Sequence, residues 1–202
     1  MQTEINIGSD QSTAPDRLRV IACGAIAREV LAVCQANHLD HIDLVCLPAI
    51  WHVYPQKIAP GMRDAIAEAR QEGFKRIFIG YAECGTQGEL DKICEQEGIS
   101  RLEGPHCYAF FTGTADFMAG TETEISAFYL TDFLARQFEA FVIEPLKLDK
   151  HPELRDMVFG NYTKIVYLAQ TDDAALQKKA RWAAEYLGLE YEYRFTGYGD
   201  LA

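Results

Sequence analysis

Between residues 18 and 103 the chain changes its hydrophobic period again and again. A short apolar run, too short for a helix, gives way to a segment with helical spacing, and then another short run begins. Leu18 to Ala22 is the first run. Cys23-Gly24 makes the turn, and Ala25 to Asn37 follows with Ile26, Val30, Leu31 and Cys34 on one helical face. Ile42 to Leu47 is the second run, stopped by Pro48 ahead of an aromatic loop, Ile50-Trp51-His52-Val53-Tyr54-Pro55. Pro60 to Gly73 is a helix with Met62, Ile66 and Ala69 inward, ended by its glycine. Ile77 to Tyr81 is apolar throughout, as a strand covered on both faces must be. Thr86-Gln87-Gly88-Glu89 has capping-box spacing, which predicts a helix from there to Gly98, and Ser100 to Glu103 is a fourth short strand. Strands joined by helices at crossover length specify a parallel sheet with helices on both faces. The expected fold class is therefore α/β: a doubly wound, mostly parallel, Rossmann-like sheet.

Downstream the pattern is looser. Tyr129 to Glu144 reads as a helix with Leu130, Phe133, Leu134, Phe138 and Phe141 along one side, and Pro152 to Phe159 as a short helix. Lys164 to Ala169 is a strand, Asp172 to Leu187 a helix stopped by Gly188, and Glu190 to Phe195 a last strand, which together predict a smaller β-α-β half. We divide the chain into a disordered lead-in (1–16), an α/β half (17–115) and a helical plus β-α-β half (116–202), the two halves packed as one compact unit. The boundary is expected around Ala115 to Thr123.

The net charge of −11 sets a diffuse acidic surface that repels phosphate backbones and anionic headgroups, so neither nucleic acid nor membrane is an expected partner. No apolar run reaches the roughly 18 residues that a membrane-crossing helix needs. The first residues, MQTEINIGSDQSTAPDR, lack both the basic and the apolar region of a secretory signal, so the chain reads as cytoplasmic. Its six cysteines are then expected as reduced thiols, buried residues or ligands rather than disulfides.

Three of those cysteines follow predicted strands: Cys23, Cys84 and Cys107. Parallel sheets bind ligands outside the carboxyl ends of their strands, where helix N-termini lower thiol pKa and favour the thiolate. Cys34 and Cys94 lie on apolar helix faces and Cys46 lies late in a strand, so these three read as core. His52 follows the second strand and His106 directly precedes Cys107. Either one with the three thiols makes a sulfur and nitrogen ligand set suited to zinc, or less well to iron. Without a metal, Cys84 is the candidate nucleophile and Glu83 beside it the candidate base. Gly24, Tyr81, Gly85 and Thr86 flank the thiols as candidate cofactor contacts, since Gly85-Thr86-Gln87-Gly88 turns into a helix N-terminus that suits an anion. Neither a Walker loop nor a G-x-G-x-x-G fingerprint is present.

Taken together, Ala22-Cys23-Gly24, His52-Val53-Tyr54-Pro55, Tyr81-Ala82-Glu83-Cys84-Gly85, His106-Cys107 and Phe128-Tyr129-Leu130-Thr131 resemble the spaced motifs of the DUF1638 proteins, over roughly residues 18 to 201. Many of those proteins place an Asp between the His and Cys that are adjacent here, and a glycine where this chain has Ala82. Members are often encoded with corrinoid-dependent methyltransferases acting on methylamines and related quaternary amines. The resemblance therefore implies methyl transfer in one-carbon metabolism. The implied partners are a corrinoid protein or a methyltransferase subunit and a small-molecule methyl donor or acceptor, with any corrinoid supplied through the partner. Self-association into a homo-oligomer is compatible with this reading, and a non-catalytic accessory role, marked by an exposed aromatic patch around Trp51 and Tyr54, is its rival.

Overall fold

The structure is a computed structural model that describes residues 3–4, 17–120 and 125–202. It divides into two compact units, Met1–Cys107 with Leu201 and Tyr108–Asp200 with Ala202. The first contains four parallel strands: β1 (Leu18–Cys23), β2 (Ile42–Leu47), β3 (Arg76–Gly80) and β4 (Ser100–Arg101). Their spatial order is β2-β1-β3-β4, and Thr3–Glu4 adds a two-residue antiparallel edge against Cys46 and Val45 of β2. The other residues of the expected lead-in lie outside the described residues, as do 121–123 of the expected boundary. The expected α/β class with a mostly parallel sheet is what the chain adopts.

Side chains alternate across this sheet, as the pleat requires. Val20, Ala22 and Leu44 pack on one face with Val30 and Leu31 of helix α1 (Ala27–Ala36), and Cys46 joins that layer. Ile21 and Ile79, one residue out of phase, have no exposed surface. Helices α2 (Ile58–Gln71) and α3 (Glu89–Glu97) bury Met62, Leu90 and Ile93 just as fully and Ile66 nearly so. Gly61 of α2 is a notch for Trp51: a Cβ there would meet the indole at 2.2 Å. Trp51 is thus turned onto α2, and the exposed large apolar side chains of its loop are Ile50 and Tyr54.

Two local expectations are corrected in this unit. The helix predicted from Thr86 begins at Glu89, behind Gly88 in the left-handed conformation, because the Thr86 hydroxyl donates to Glu83 instead of capping. The fourth strand is two residues long, not four.

The second unit carries three parallel strands, β5 (Ala127–Leu130), β6 (Lys164–Ala169) and β7 (Glu190–Phe195), in that order, with helix α5 (Ala174–Leu187) as the β6–β7 crossover. The single helix expected over Tyr129 to Glu144 is instead a strand end, a short helix α4 (Asp132–Arg136) and a π-type turn at Glu139–Ile143. Aromatic Phe128 and Tyr129 favour the pleated surface, and the Thr131 hydroxyl accepts from Leu134 N–H at 3.4 Å to start the helix only after the strand has paired with β6. The apolar spacing runs through both states and hides the break.

Asp132 holds these strand ends together. It is 1% exposed, and its carboxylate accepts from Tyr167 Oη at 2.6 Å, Gln170 N at 3.1 Å, Thr171 N at 3.0 Å and Thr171 Oγ1 at 2.5 Å. Replacing it with alanine strands two buried donors, Tyr167 Oη and Gln170 N–H, and removes the tie to the exposed Thr171. Asp132→Ala should therefore lower unfolding free energy by about 3 kcal/mol in urea titration, far more than an exposed Asp172→Ala control.

Candidate functional site

The carboxyl ends of β1 and β3 set the site's floor. Ala22 pairs with Gly80 across these strands, and a Cβ on Gly80 would sit 2.9 Å from that of Ala22. Two minimal side chains let the backbones meet here, and the next residue on each strand, Cys23 and Tyr81, then falls side by side. Both are buried, at 5% and 1% exposure. The Tyr81 hydroxyl is close enough to Cys23 to interact with it, yet makes no hydrogen bond of good geometry. Burial first, then the neighbouring thiols, push its pKa well above the usual phenol value.

Cys23 caps a short 3₁₀ turn (Gly24–Ile26), its Sγ accepting from Ala25 N–H at 3.4 Å. Gly24 is required for packing, since a Cβ there would lie 3.0 Å from the Leu47 carbonyl oxygen. Cys84 arrives from the loop after β3. Glu83 N–H donates to Gly104 O at 3.0 Å and Cys84 N–H to Pro105 O at 2.9 Å, so this loop is pinned to the one that brings Cys107. The Cys84 and Cys107 sulfurs lie 3.2 Å apart. Cys107 in turn lies near enough to the Cys23 thiol for each to shift the other's proton affinity. Three thiols from three chain segments thus form one chain of contacts with Cys107 at its centre.

The Cys84 loop is held open at a cost. Cys84 and Gln87 adopt φ of +49° and +56°, a region that costs a residue with a side chain roughly 1 kcal/mol. Glu83 offsets it: its carboxylate accepts from Gly85 N at 2.8 Å, Gly88 N at 3.1 Å and Thr86 Oγ1 at 3.0 Å. Burial pushes the Glu83 pKa up, but the bonds from Gly88, Gly85 and Thr86 outweigh it and keep it below the ordinary carboxyl value. Glu83, Gly85 and Thr86 therefore spend their hydrogen-bonding groups on the loop's own shape, which makes Glu83 a positioning residue. The sequence reading missed this clamp, although an acid heading a turn with two glycines was its visible signal.

Within the thiol chain the proton affinities split. The nearby Cys107 thiol lowers the Cys23 pKa against its burial, helped by Ala25 N–H. Cys107 is raised well above the usual thiol value by the same contact, by Cys84 and by burial. Of this pair, Cys23 thus gives up its proton more readily than Cys107. Cys46 is pushed up to about 12 by burial and by nearby Cys23, which fits its place in the α1 layer. Cys34 is buried as expected, while Cys94 is only half-buried.

His52 keeps an exposed surface, yet crowding by protein and the neighbouring His106 hold its pKa below the ordinary value. His106 is lowered by burial, which exceeds the opposing pull of Glu83. Among the described residues, no group of three or more His, Cys, Asp or Glu side chains stands in position to hold a metal ion. The donor chemistry nevertheless suits one: three thiols, neutral imidazoles and an unsatisfied phenol at the same strand ends. Two thiolates on a tetrahedral zinc sit about 3.8 Å apart, so a metal needs the 3.2 Å sulfur contact to open by side-chain rotation.

The family model described as "Protein of unknown function (DUF1638)" matches residues 46–202, a span that includes His52, Cys84, His106 and Cys107 and begins after Cys23. No curated protein and no solved structure matches the chain. No helix among the described residues is long and apolar enough to cross a membrane.

The two histidines give the site a pH signature. Their folded pKa values lie below the ordinary 6.5, so just under that pH the unfolded chain binds more protons than the folded one. Stability from these rings is complete above 6.5 and is lost as pH falls beneath it. For chelator-treated protein, Tm should drop between about pH 7 and about pH 5.5, and the His52→Gln/His106→Gln double variant should flatten that part of the curve.

Proposed function

The chain belongs to the DUF1638 family, and we propose that its thiol cluster is a metal-binding centre serving corrinoid-linked methyl transfer in the one-carbon metabolism of methylated amines. The observation that carries this reading is the meeting of Cys23, Cys84 and Cys107 at the strand ends of one parallel sheet. In this reading the three thiolates are ligands to zinc, favoured over iron because sulfur and imidazole are its usual partners. His52 or His106 is the fourth donor. A metal takes imidazole in its neutral form, so the lowered pKa of both rings supports that role. Zinc, when bound, keeps its thiolates deprotonated at neutral pH and acts as a Lewis acid where methyl groups pass to sulfur.

The chain's own groups divide the remaining tasks. Tyr81 directs its hydroxyl toward Cys23 and limits the charge that builds on that sulfur. The Glu83 clamp fixes the approach of Cys84. The exposed side chains of Ile50 and Tyr54 beside His52 form a surface for the implied partner, a corrinoid protein or a methyltransferase subunit. The methyl donor or acceptor is a small molecule.

The test is metal analysis of protein purified without chelator or affinity-tag metal. Wild type should carry about one zinc per chain. Cys84→Ser should lose it, whereas Cys94→Ser, at a half-buried thiol on α3, should retain it. A chelator should lower the Tm of wild type and leave that of Cys84→Ser unchanged, because metal binding contributes to folding free energy. Equal metal content in the two variants would return the cluster to structural thiols or to a metal-free nucleophile at Cys84, and the accessory role would then be favoured.

A further inference from the structure

We propose that Cys84 and Cys107 are a reversible dithiol–disulfide site whose co-reactant is a small-molecule disulfide. Their sulfurs are already 3.2 Å apart. A disulfide needs about 2.0 Å, so closure asks for an approach of little more than an ångström, within reach of side-chain rotation. Main-chain hydrogen bonds from Glu83 and Cys84 to the Gly104 and Pro105 carbonyls hold the two segments together while the sulfurs approach. Both thiols are partly exposed, so a small reagent can reach them, whereas Cys23 is buried. The remaining cysteines are placed otherwise: Cys46 and Cys34 belong to the α1 side of the sheet and Cys94 to α3.

The exchange balances without any other oxidant. The Cys84 thiolate attacks one sulfur of the small disulfide and expels one thiolate. The Cys107 thiolate then attacks the Cys84 sulfur of that mixed disulfide and expels the second. The protein loses two electrons and its two thiol protons pass to the departing thiolates, so one disulfide and two protein thiols become one protein disulfide and two small thiols. Cys23, buried, is the next thiol beyond Cys107. Insofar as the metal reading holds, the disulfide removes two of the three thiolate donors, so oxidation and metal retention exclude one another.

The experiment treats the reduced, metal-free full chain with oxidised glutathione, alkylates what remains, and maps the peptides without reduction. One intramolecular link, Cys84 to Cys107, should dominate. It should lighten the chain by two hydrogens and disappear with dithiothreitol, while Cys23, Cys34, Cys46 and Cys94 are alkylated once the chain is unfolded. In Cys84→Ser, glutathione should remain on Cys107 as a mixed disulfide. A dominant link between any other pair, or stable glutathionylation of Cys84 in wild type without a link, overturns the proposal. A parallel arm with zinc-loaded protein separates the two ideas. A link that forms in a chain that never binds zinc leaves this site standing and removes the metal reading. Zinc that binds while no link forms in the metal-free chain does the reverse.

Discussion

Ala22 and Gly80 meet across β1 and β3 where neither strand has room for a larger side chain. Everything at the candidate site depends on that close approach. It puts Cys23 and Tyr81 side by side at the two strand ends, and it ends the strands together so that the loops beyond them share one space. A side chain at position 80 would push β3 away and separate the phenol from the thiol. The smallest residues in the sheet are thus what place its most reactive ones.

Above this floor the site is shaped by hydrogen bonds more than by packing. The Glu83 carboxylate gathers the N–H groups of Gly85 and Gly88 and the hydroxyl of Thr86. Main-chain bonds to Gly104 and Pro105 couple the loop to its neighbour. These fixed polar contacts hold Cys84 in a left-handed conformation that a free loop would leave. The same constraint that strains the backbone brings two sulfurs from segments far apart in sequence into contact.

The parallel sheet of the first unit was legible because its signals agree. Apolar runs, turns and helical spacing recur at crossover length, and the thiols fall at strand ends in consequence. The second unit was legible only in part. Leu130, Phe133 and Phe138 keep a helical period across a point where the backbone changes from strand to helix, and no local feature except Thr131 marks the change. Thr86 shows the converse: its spacing to Glu89 is right for a cap, yet a carboxylate three residues earlier takes its hydroxyl. Competition between two acceptors is settled by three-dimensional geometry, which spacing does not encode. The Asp132 hub is hidden for the same reason, since its donors come from residues about forty positions away.

The edges of the first sheet have a consequence for how the protein behaves in a crowded solution. On one side the sheet ends in β4, two residues long, and on the other in the two-residue antiparallel pair Thr3–Glu4. A short edge offers few unpaired main-chain groups for a foreign strand to extend. β7, the longer edge of the other sheet, interleaves Glu190, Glu192 and Arg194 with Tyr191, Tyr193 and Phe195, so charged side chains stand between its exposed aromatics, Tyr193 and Phe195. The first sheet thereby resists templated fibre growth at its borders, and on β7 that protection falls to the interleaved charges alone.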